Sequence, residues 1–348
     1  MFPKSNSNSA ASKVWPLVSV VTPVYNGELY LTECIESVLK QSYSNWEYII
    51  VNNCSTDSSL RIANGYASRD ARIHVHTNPT LVDAISNHNI GVRLISVESK
   101  YCKIVSADDW ITSDCLSKMV DLAEEFSGIG VLGSYQSSGT KIEWKGLAPD
   151  VRVISGREVC RLSLLKNLNV FGTPTSSLYR CDLIRKRDAF FPHLLPHADT
   201  SACYEYLQKH DYGFVHAVLS TERVHDAQWS SKVKALAMGT LAWLDVLLKY
   251  GPVYLTKEEL ELQRIETLKG YYRFLGGCVL KMRGRDFWAF QTSRFKELGY
   301  RMSWGKVIKC ALSEMVEEMH RPKVALGKLS AVWREKCDGL RGACRRDL

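Results

Sequence analysis

From Leu17 onward the chain alternates short apolar runs with stripes at helical spacing. Leu17 to Thr22 is an apolar run halted at Pro23, and Leu31, Ile35, Val38 and Leu39 recur at helical spacing. Glu47 to Val51 is a second buried run, closed by the polar cluster Asn52 to Ser59. Residues 57–69 read as helix, 73–76 as a short strand, 84–97 as helix and 101–105 as a third apolar strand. That strand ends in Ser106-Ala107-Asp108-Asp109. A helix follows over 112–126, with Leu116, Met119, Val120 and Ala123 on one side, then a short strand at 129–132. Repeated β-α-β units predict a mostly parallel sheet flanked by helices, with a ligand crevice beyond the carboxyl ends of its strands. Three polar clusters fall at such ends: Thr22–Asn26, Asn52–Asp57 and Ser106–Asp109. Their shared position is the reason to expect one site. Residues 136–230 are less regular. Beyond them Val233, Leu236, Ala237, Leu241, Leu244 and Leu248 predict a helix over 232–249, Gly251-Pro252 a break, and 257–275 a second helix.

Composition narrows the class. Apolar residues make up 45% and charged residues 24% of 348, the balance of a folded protein of about two domains. No window approaches the roughly 18 apolar residues of a membrane span. Met1–Ser12 is polar and lacks the apolar run of a secretory signal, so residues 1–16 are expected to be a floppy leader and the protein cytoplasmic. Eleven cysteines at irregular spacing, none in C-x-x-C, read as scattered reduced thiols. The net charge is +8, of which +5 lies in residues 301–348, with eleven Lys/Arg against six Asp/Glu. This tail is either a solvated basic segment or a contact for an anionic partner. Gly128 to Gly133 fits G-x-G-x-x-G, but a helix precedes it and the interval itself reads as strand, so a dinucleotide site is not expected there. No P-loop is present.

Asp108 and Asp109 carry the clearest chemistry. Carboxylates at a strand end suit a hard divalent ion that also holds a diphosphate, Mg2+ or Mn2+. The alternative is structural: Asp109 or Thr112 starts the helix that follows.

Four segments in order, VSVVTPVYN (18–26), SVLKQSY (37–43), YIIVNNCSTD (48–57) and VSADDW (105–110), resemble those of family 2 glycosyltransferases. The resemblance covers about residues 17–230. It implies a GT-A type α/β catalytic domain over 17–230, with a helical C-terminal region at 231–348. It further implies inverting transfer of a sugar from a nucleotide-diphosphate donor to a glycan or lipid-linked acceptor, as in surface polysaccharide synthesis, with no nucleic-acid partner. By position, Thr22, Pro23, Tyr25 and Asn26 match the loop that packs on base and ribose. Asn52 and Asn53 stand where the family has two aspartates, the second contacting the base. Ser106 replaces the first carboxylate of the D-x-D motif. Asp108 matches its second and would be the main metal ligand, with Asp109 beside it in the nucleotide-sugar site. Ala198-Asp199 matches the acidic pair, which makes Asp199 the expected general base and Glu205 the runner-up; the alternative is that Asp199 caps a helix over 200–209. His225, two residues after Arg223, is a second metal or diphosphate ligand or an ordinary surface histidine. Gly172–Ser177 resembles the acceptor-side loop. The alternatives kept beside this reading are a non-catalytic sugar-nucleotide binder, suggested by the carboxylates missing at 52, 53 and 106, and a nucleotidyltransferase. After residue 231 the resemblance fades. The helix at 232–249, which includes Trp243, together with the basic tail, is expected either to lie peripherally on the inner face of the membrane or, with its neighbours, to brace the catalytic domain or form an oligomer.

Overall fold

The structure is a computed structural model that describes residues 15–166, 168, 170–192, 197–225, 233 and 235–319. The leader call and most of the basic tail therefore lie outside the described residues. The chain divides into two compact units, Met1–Leu194 with Ala198–His225, and Leu195–His197 with Asp226–Leu348.

The first unit is built on one sheet. Its strands among the described residues are β1 Val18–Val24, β2 Trp46–Asn52, β3 Ile73–Thr77, β4 Tyr101–Ile104, β5 Trp110–Ile111, β6 Ile129–Ser138, β7 Lys141–Glu143, β8 Val153–Ile154, β9 Ser177–Arg180 and β10 Asp211–Glu222. They lie in the order β3-β2-β1-β4-β9-β6-β10-β5, with β7 on β6 and β8 on β10. The helices are α1 Leu31–Leu39, α2 Ser59–Ala67, α3 Ala84–Arg93, α4 Cys115–Glu125, α5 Gly156–Lys166, α6 Cys181–Arg185 and α7 Ala198–Tyr206. The expected α/β architecture is present, but the sheet is mixed. β3, β2, β1 and β4 are parallel, whereas β9 runs antiparallel to both β4 and β6. The 12-residue β10 is the longest strand, and the sequence reading left it irregular because register shifts interrupt its alternation between Val215 and Ser220. β6 takes up the Gly128–Gly133 run from Ile129 onward, and a Cβ at Gly133 would meet the Tyr212 hydroxyl at 2.0 Å. That glycine serves packing rather than a phosphate.

Pro23 does not end its strand. Val105 N donates to Val21 O, so alternate residues of β1 present their amides toward β4, and Pro23 is the next in that series. It has no N–H to give. The Thr22 hydroxyl supplies the donor instead, reaching Val105 O at 2.9 Å. The strand thereby runs on to Val24, where the crevice begins. The apolar core under this half takes Leu31, Ile35 and Val38 of α1, Tyr48 and Ile50 of β2, and Leu116, Met119 and Val120 of α4.

The second unit has four helices among the described residues: α8 Met238–Tyr254, α9 Lys257–Leu280, α10 Arg285–Glu297 and α11 Trp304–Met319. Gly251-Pro252 does not break the first of them; Pro252 sits inside its last turn, close to the end where few hydrogen bonds remain to be lost. α9 opens with a reciprocal capping box between Thr256 and Glu259. Leu241 and Leu244, offered above as a membrane-facing stripe, are instead buried with Tyr271, Leu275, Phe287, Phe295 and Val307. That face of α8 is used by the unit's own core. No described helix is long and apolar enough to cross a membrane. Most described cysteines sit as small buried side chains, and the two with partial exposure are Cys54 and Cys310.

Candidate active site

The three polar clusters meet where β1, β2 and β4 end. Asn26 and Cys54 both adopt left-handed backbone, at φ 50° and 55°. Asparagine tolerates that region; cysteine rarely occupies it. The turns they make bring residues 26–28 against 55–59. Thr56 N donates to Asn26 Oδ1 at 2.8 Å, Asn26 N to Ser55 Oγ at 3.1 Å, Gly27 N to Ser59 Oγ at 2.8 Å, Glu28 N to Asp57 Oδ2 at 2.9 Å and Ser58 N to Glu28 Oε2 at 2.8 Å. Beside this clasp Tyr25 is 51% exposed, a free aromatic face at the crevice mouth.

Two expectations about this side are corrected. Thr22 is fully buried, with its hydroxyl 2.8 Å from Tyr48 Oη and bonded to Val105 O, so it closes the strand ends and does not line the loop. Pro23 is buried with it. Asn53 is 3% exposed, and its amide is engaged inward. Its Nδ2 donates to Val82 O at 2.8 Å while its Oδ1 accepts from Val82 N at 3.0 Å, so the side chain pairs with that backbone as a strand would. Oδ1 also accepts from Asn78 Nδ2, which bonds Asn87 Oδ1 as well. A carboxylate at 53 could not donate to Val82 O, which gives a physical reason for the amide.

The second cluster is charged. Asp108 Oδ2 lies 3.1 Å from His225 Nε2, and both side chains are partly exposed, at 30% and 21%. Arg223, ahead of His225, donates from Nε to Asp108 O at 3.2 Å and pairs with Glu33. Its guanidinium lies over the Tyr30 and Trp110 rings at 4.6 and 4.8 Å. His225 in turn lies against Tyr30 with the rings tilted by 40°, centroids 4.9 Å apart. Asp108 and His225 thus meet, although 117 residues separate them.

Asp109 diverges from its neighbour, as adjacent side chains near a strand end do. It is 4% exposed. Oδ2 accepts from Thr175 Oγ1 at 2.7 Å and Oδ1 from Arg223 N at 3.2 Å. Burial, and then the charge of Asp108, push its carboxyl up to about 7. It lies beneath the site and has no surface to offer a ligand. Ser106 joins the same network, its N donating to Thr175 Oγ1 at 3.1 Å and its Oγ 3.2 Å from that oxygen. Thr175 O accepts from Nζ of the fully buried Lys103 at 2.6 Å, and Ser177 O from the same Nζ at 3.1 Å. Thr175 therefore bridges a buried cation and a buried carboxylic acid. The sequence singled out its segment but no role for it, and Lys103 gave no signal inside an apolar run. Neither Asp109 nor Thr112 caps α4, because Gln41 does the related work: it accepts from Leu116 N at 3.0 Å and donates to Thr112 O at 2.7 Å.

Asp199 is the second residue of α7, its Oδ1 accepting from Thr200 N at 2.7 Å. Glu205, one and a half turns on, is ion-paired with Arg187 and only 13% exposed, which removes it as a base.

Among the described residues no three His, Cys, Asp or Glu side chains converge on a point. Two do. The 3.1 Å between Asp108 Oδ2 and His225 Nε2 suits adjacent ligands on one octahedral ion, which stand about 3 Å apart when each bond is near 2.1 Å. A carboxylate with an imidazole fits Mn2+ well and Mg2+ less well, the remaining positions being left to water and phosphate.

The mixed sheet, with its acidic loop after β4 and crossing arm at 223–225, is a GT-A fold. The crystal structure of S. aureus TarS 1–349 in complex with UDP-GlcNAc superposes with a TM-score of 0.55 at 17% identity, over 74% of this chain and 73% of that one. The mannosyltransferase PcManGT from Pyrobaculum calidifontis, in complex with GDP-Man and Mn2+, gives 0.52 at 13%, over 88% and 89%. In sequence, residues 19–188, just under half of the chain, match the model of glycosyl transferase family 2. An uncharacterized glycosyltransferase of Haemophilus influenzae is 34% identical over 120 residues, 34% of this chain and 47% of that protein. The poly(ribitol-phosphate) beta-N-acetylglucosaminyltransferase TarS of Staphylococcus aureus is 28% identical over 194 residues, 52% and 30%. The chain spans less than half the length of these curated relatives.

Proposed function

We propose that the chain transfers a sugar from a nucleotide-diphosphate donor to a glycan or lipid-linked acceptor, in the synthesis of a surface polysaccharide. The observation that carries this is the pairing of Asp108 with His225 at the strand ends, beside the clasp of 26–28 on 55–59. The names of the relatives support the acceptor class, and the donors bound by proteins of this fold support the donor class.

In this reading Tyr25 packs on the base, and the exposed Asn26 holds the loop that carries it. Asn53 acts one layer down by fixing the backbone at Val82. Ser106 and Asp109 set the turn from which Asp108 projects. Asp108 and His225 would hold Mn2+ or Mg2+, which supplies positive charge against the leaving diphosphate. Arg223 keeps both ligands in place, through Asp108 O and through the Tyr30 ring that it shares with His225. Asp199 takes the proton from the acceptor hydroxyl as that oxygen attacks the anomeric carbon from the side opposite the diphosphate, so the configuration inverts. A lipid-linked acceptor would bring the protein to the cytoplasmic face of the membrane.

Nucleotide release from UDP- and GDP-sugars tests the reading, measured with Mn2+ and with chelator. Wild type should release nucleoside diphosphate only with metal, and Asp108→Ala should lose at least about a hundredfold. Asp199→Asn should lower transfer by 10²–10⁴-fold, roughly, while leaving nucleotide binding in place. Tight nucleotide binding with no release by wild type, across donors and acceptors, would instead favour the non-catalytic binder.

A further inference from the structure

The second unit ends in a helix that is apolar on two sides. α11 buries Val307 and Ala311 against α9, where a Cβ at Gly276 would meet Ala311 N at 2.7 Å, so the two backbones touch. Next to that buried edge Trp304, Ile308, Leu312, Met315 and Val316 form a second stripe at helical spacing. They are 48, 56, 55, 43 and 46% exposed. The helices run parallel, since Lys306 lies over Tyr272 and Glu314 faces Gly277. The lower end of the stripe is therefore level with the end of α9, where Val279 and Leu280 are exposed and Met282 is 70% exposed. Lys281, Arg283, Arg285 and Lys309 are exposed around it, against Asp286 and Glu317. Residues 320–348, which follow directly, carry eight Lys/Arg and three Asp/Glu, a net +5.

We infer that this apolar stripe, with Lys281, Arg283 and Arg285 beside it, is the surface by which the chain lies on an anionic lipid bilayer. An amphipathic helix flanked by Lys and Arg places its apolar side chains at the acyl boundary while its cations meet the headgroups. A second copy on the same face is disfavoured by charge, because pairing would bring the two cationic ends together. The inference deepens the lipid-linked half of the proposed function and moves the contact from α8, whose apolar face is buried, to α11.

Sedimentation of the 348-residue chain with vesicles of phosphatidylcholine, with and without 30% phosphatidylglycerol, tests it without any donor. Wild type should pellet with the anionic vesicles, bind neutral ones weakly, and lose about tenfold or more in affinity when the salt is raised to 0.5 M. Ile308→Ser with Leu312→Ser, both exposed, should keep the melting temperature and lose at least about tenfold in vesicle affinity. Failure of wild type to pellet, or normal binding by that double variant, overturns the inference. So does a wild-type dimer in solution that the double variant reduces to monomer. A protein that releases nucleotide yet ignores vesicles leaves the transfer reading standing, and the converse result leaves the lipid surface standing.

Discussion

The two halves of the crevice are built on opposite terms. On the side of β1 and β2 the buried polar side chains are neutral and closed upon themselves: Asn53 with Val82, Asn78 and Asn87, and Thr22 with Val105. On the other side they are charged and lie in two layers. Thr175, Lys103 and Asp109 form a sealed lower layer, while Asp108 and His225 form an upper one that keeps partial exposure. Buried polar groups hold shape because leaving one unmatched is costly. Half-exposed ones are available to a ligand because little is lost when they change partner. Stability should therefore fall steeply for changes in the closed parts and hardly at all for changes in the open pair.

The largest effect concerns pH. Asp109 has its carboxyl raised to about 7, mainly by burial and next by Asp108. The folded chain then holds a proton that the unfolded chain releases near 4. This group's contribution is full below about pH 4 and is lost as the pH rises through about 7. In the presence of chelator, Asp109→Asn should remove that slope. Its stability relative to wild type should climb by up to ~4 kcal/mol between pH 4 and 8, at 1.36 kcal/mol per unit. Urea titrations at both ends of this range measure it, and a parallel slope in the two proteins would show that Asp109 is not closed in. Thr175→Val comes next. It keeps the shape but leaves an Asp109 oxygen and the Ser106 amide without their partner, at a cost of about 3 kcal/mol. On the side of β1 and β2 Asn53→Ala orphans both polar atoms of the Val82 peptide units and should cost about 2 kcal/mol. Asn53→Asp should cost at least as much, because a carboxylate would face Val82 O. If Asn53→Asp were instead neutral, the amide would be facing the crevice and the distinction between the two halves would fail.

The same division governs what could be read from the sequence. The parallel half was legible because β1, β2 and β4 are buried on both faces and appear as continuous apolar runs ending in polar clusters. Asp108, Tyr25 and Asn26 stood out because they interrupt that pattern at strand ends, and the four motifs named the family. The mixed half was illegible for equally physical reasons. β10 spreads its pairing over three neighbours, with shifts that erase a period of two. Lys103 sits inside an apolar strand and is explained only by carbonyls 72 and 74 residues away. Thr22 and Asn53 were placed correctly but given outward roles, since a motif does not tell which polar side chains have already found partners inside. In the second unit, helical spacing located α8 yet could not say that its apolar face packs on α9 and α10 while α11 keeps the exposed one.

The smallest stability effect is the most informative about the open pair. Asp108 contacts His225 at partial exposure, and its backbone carbonyl accepts from Arg223. A partly exposed contact of this kind contributes roughly 0–1 kcal/mol. Asp108→Asn removes the charge and keeps an oxygen for His225, so stability should shift by less than about 1 kcal/mol. It should rise slightly if relief of the repulsion on Asp109 outweighs the lost pair, because an uncharged neighbour lets the buried carboxyl return toward its ordinary range. The relief is read from the pH dependence, since it builds as the pH rises toward about 7 and is level above it. A loss of several kcal/mol in Asp108→Asn would mean that this carboxylate belongs to the sealed layer with Thr175, and that the pair with His225 holds the fold together rather than awaiting a ligand.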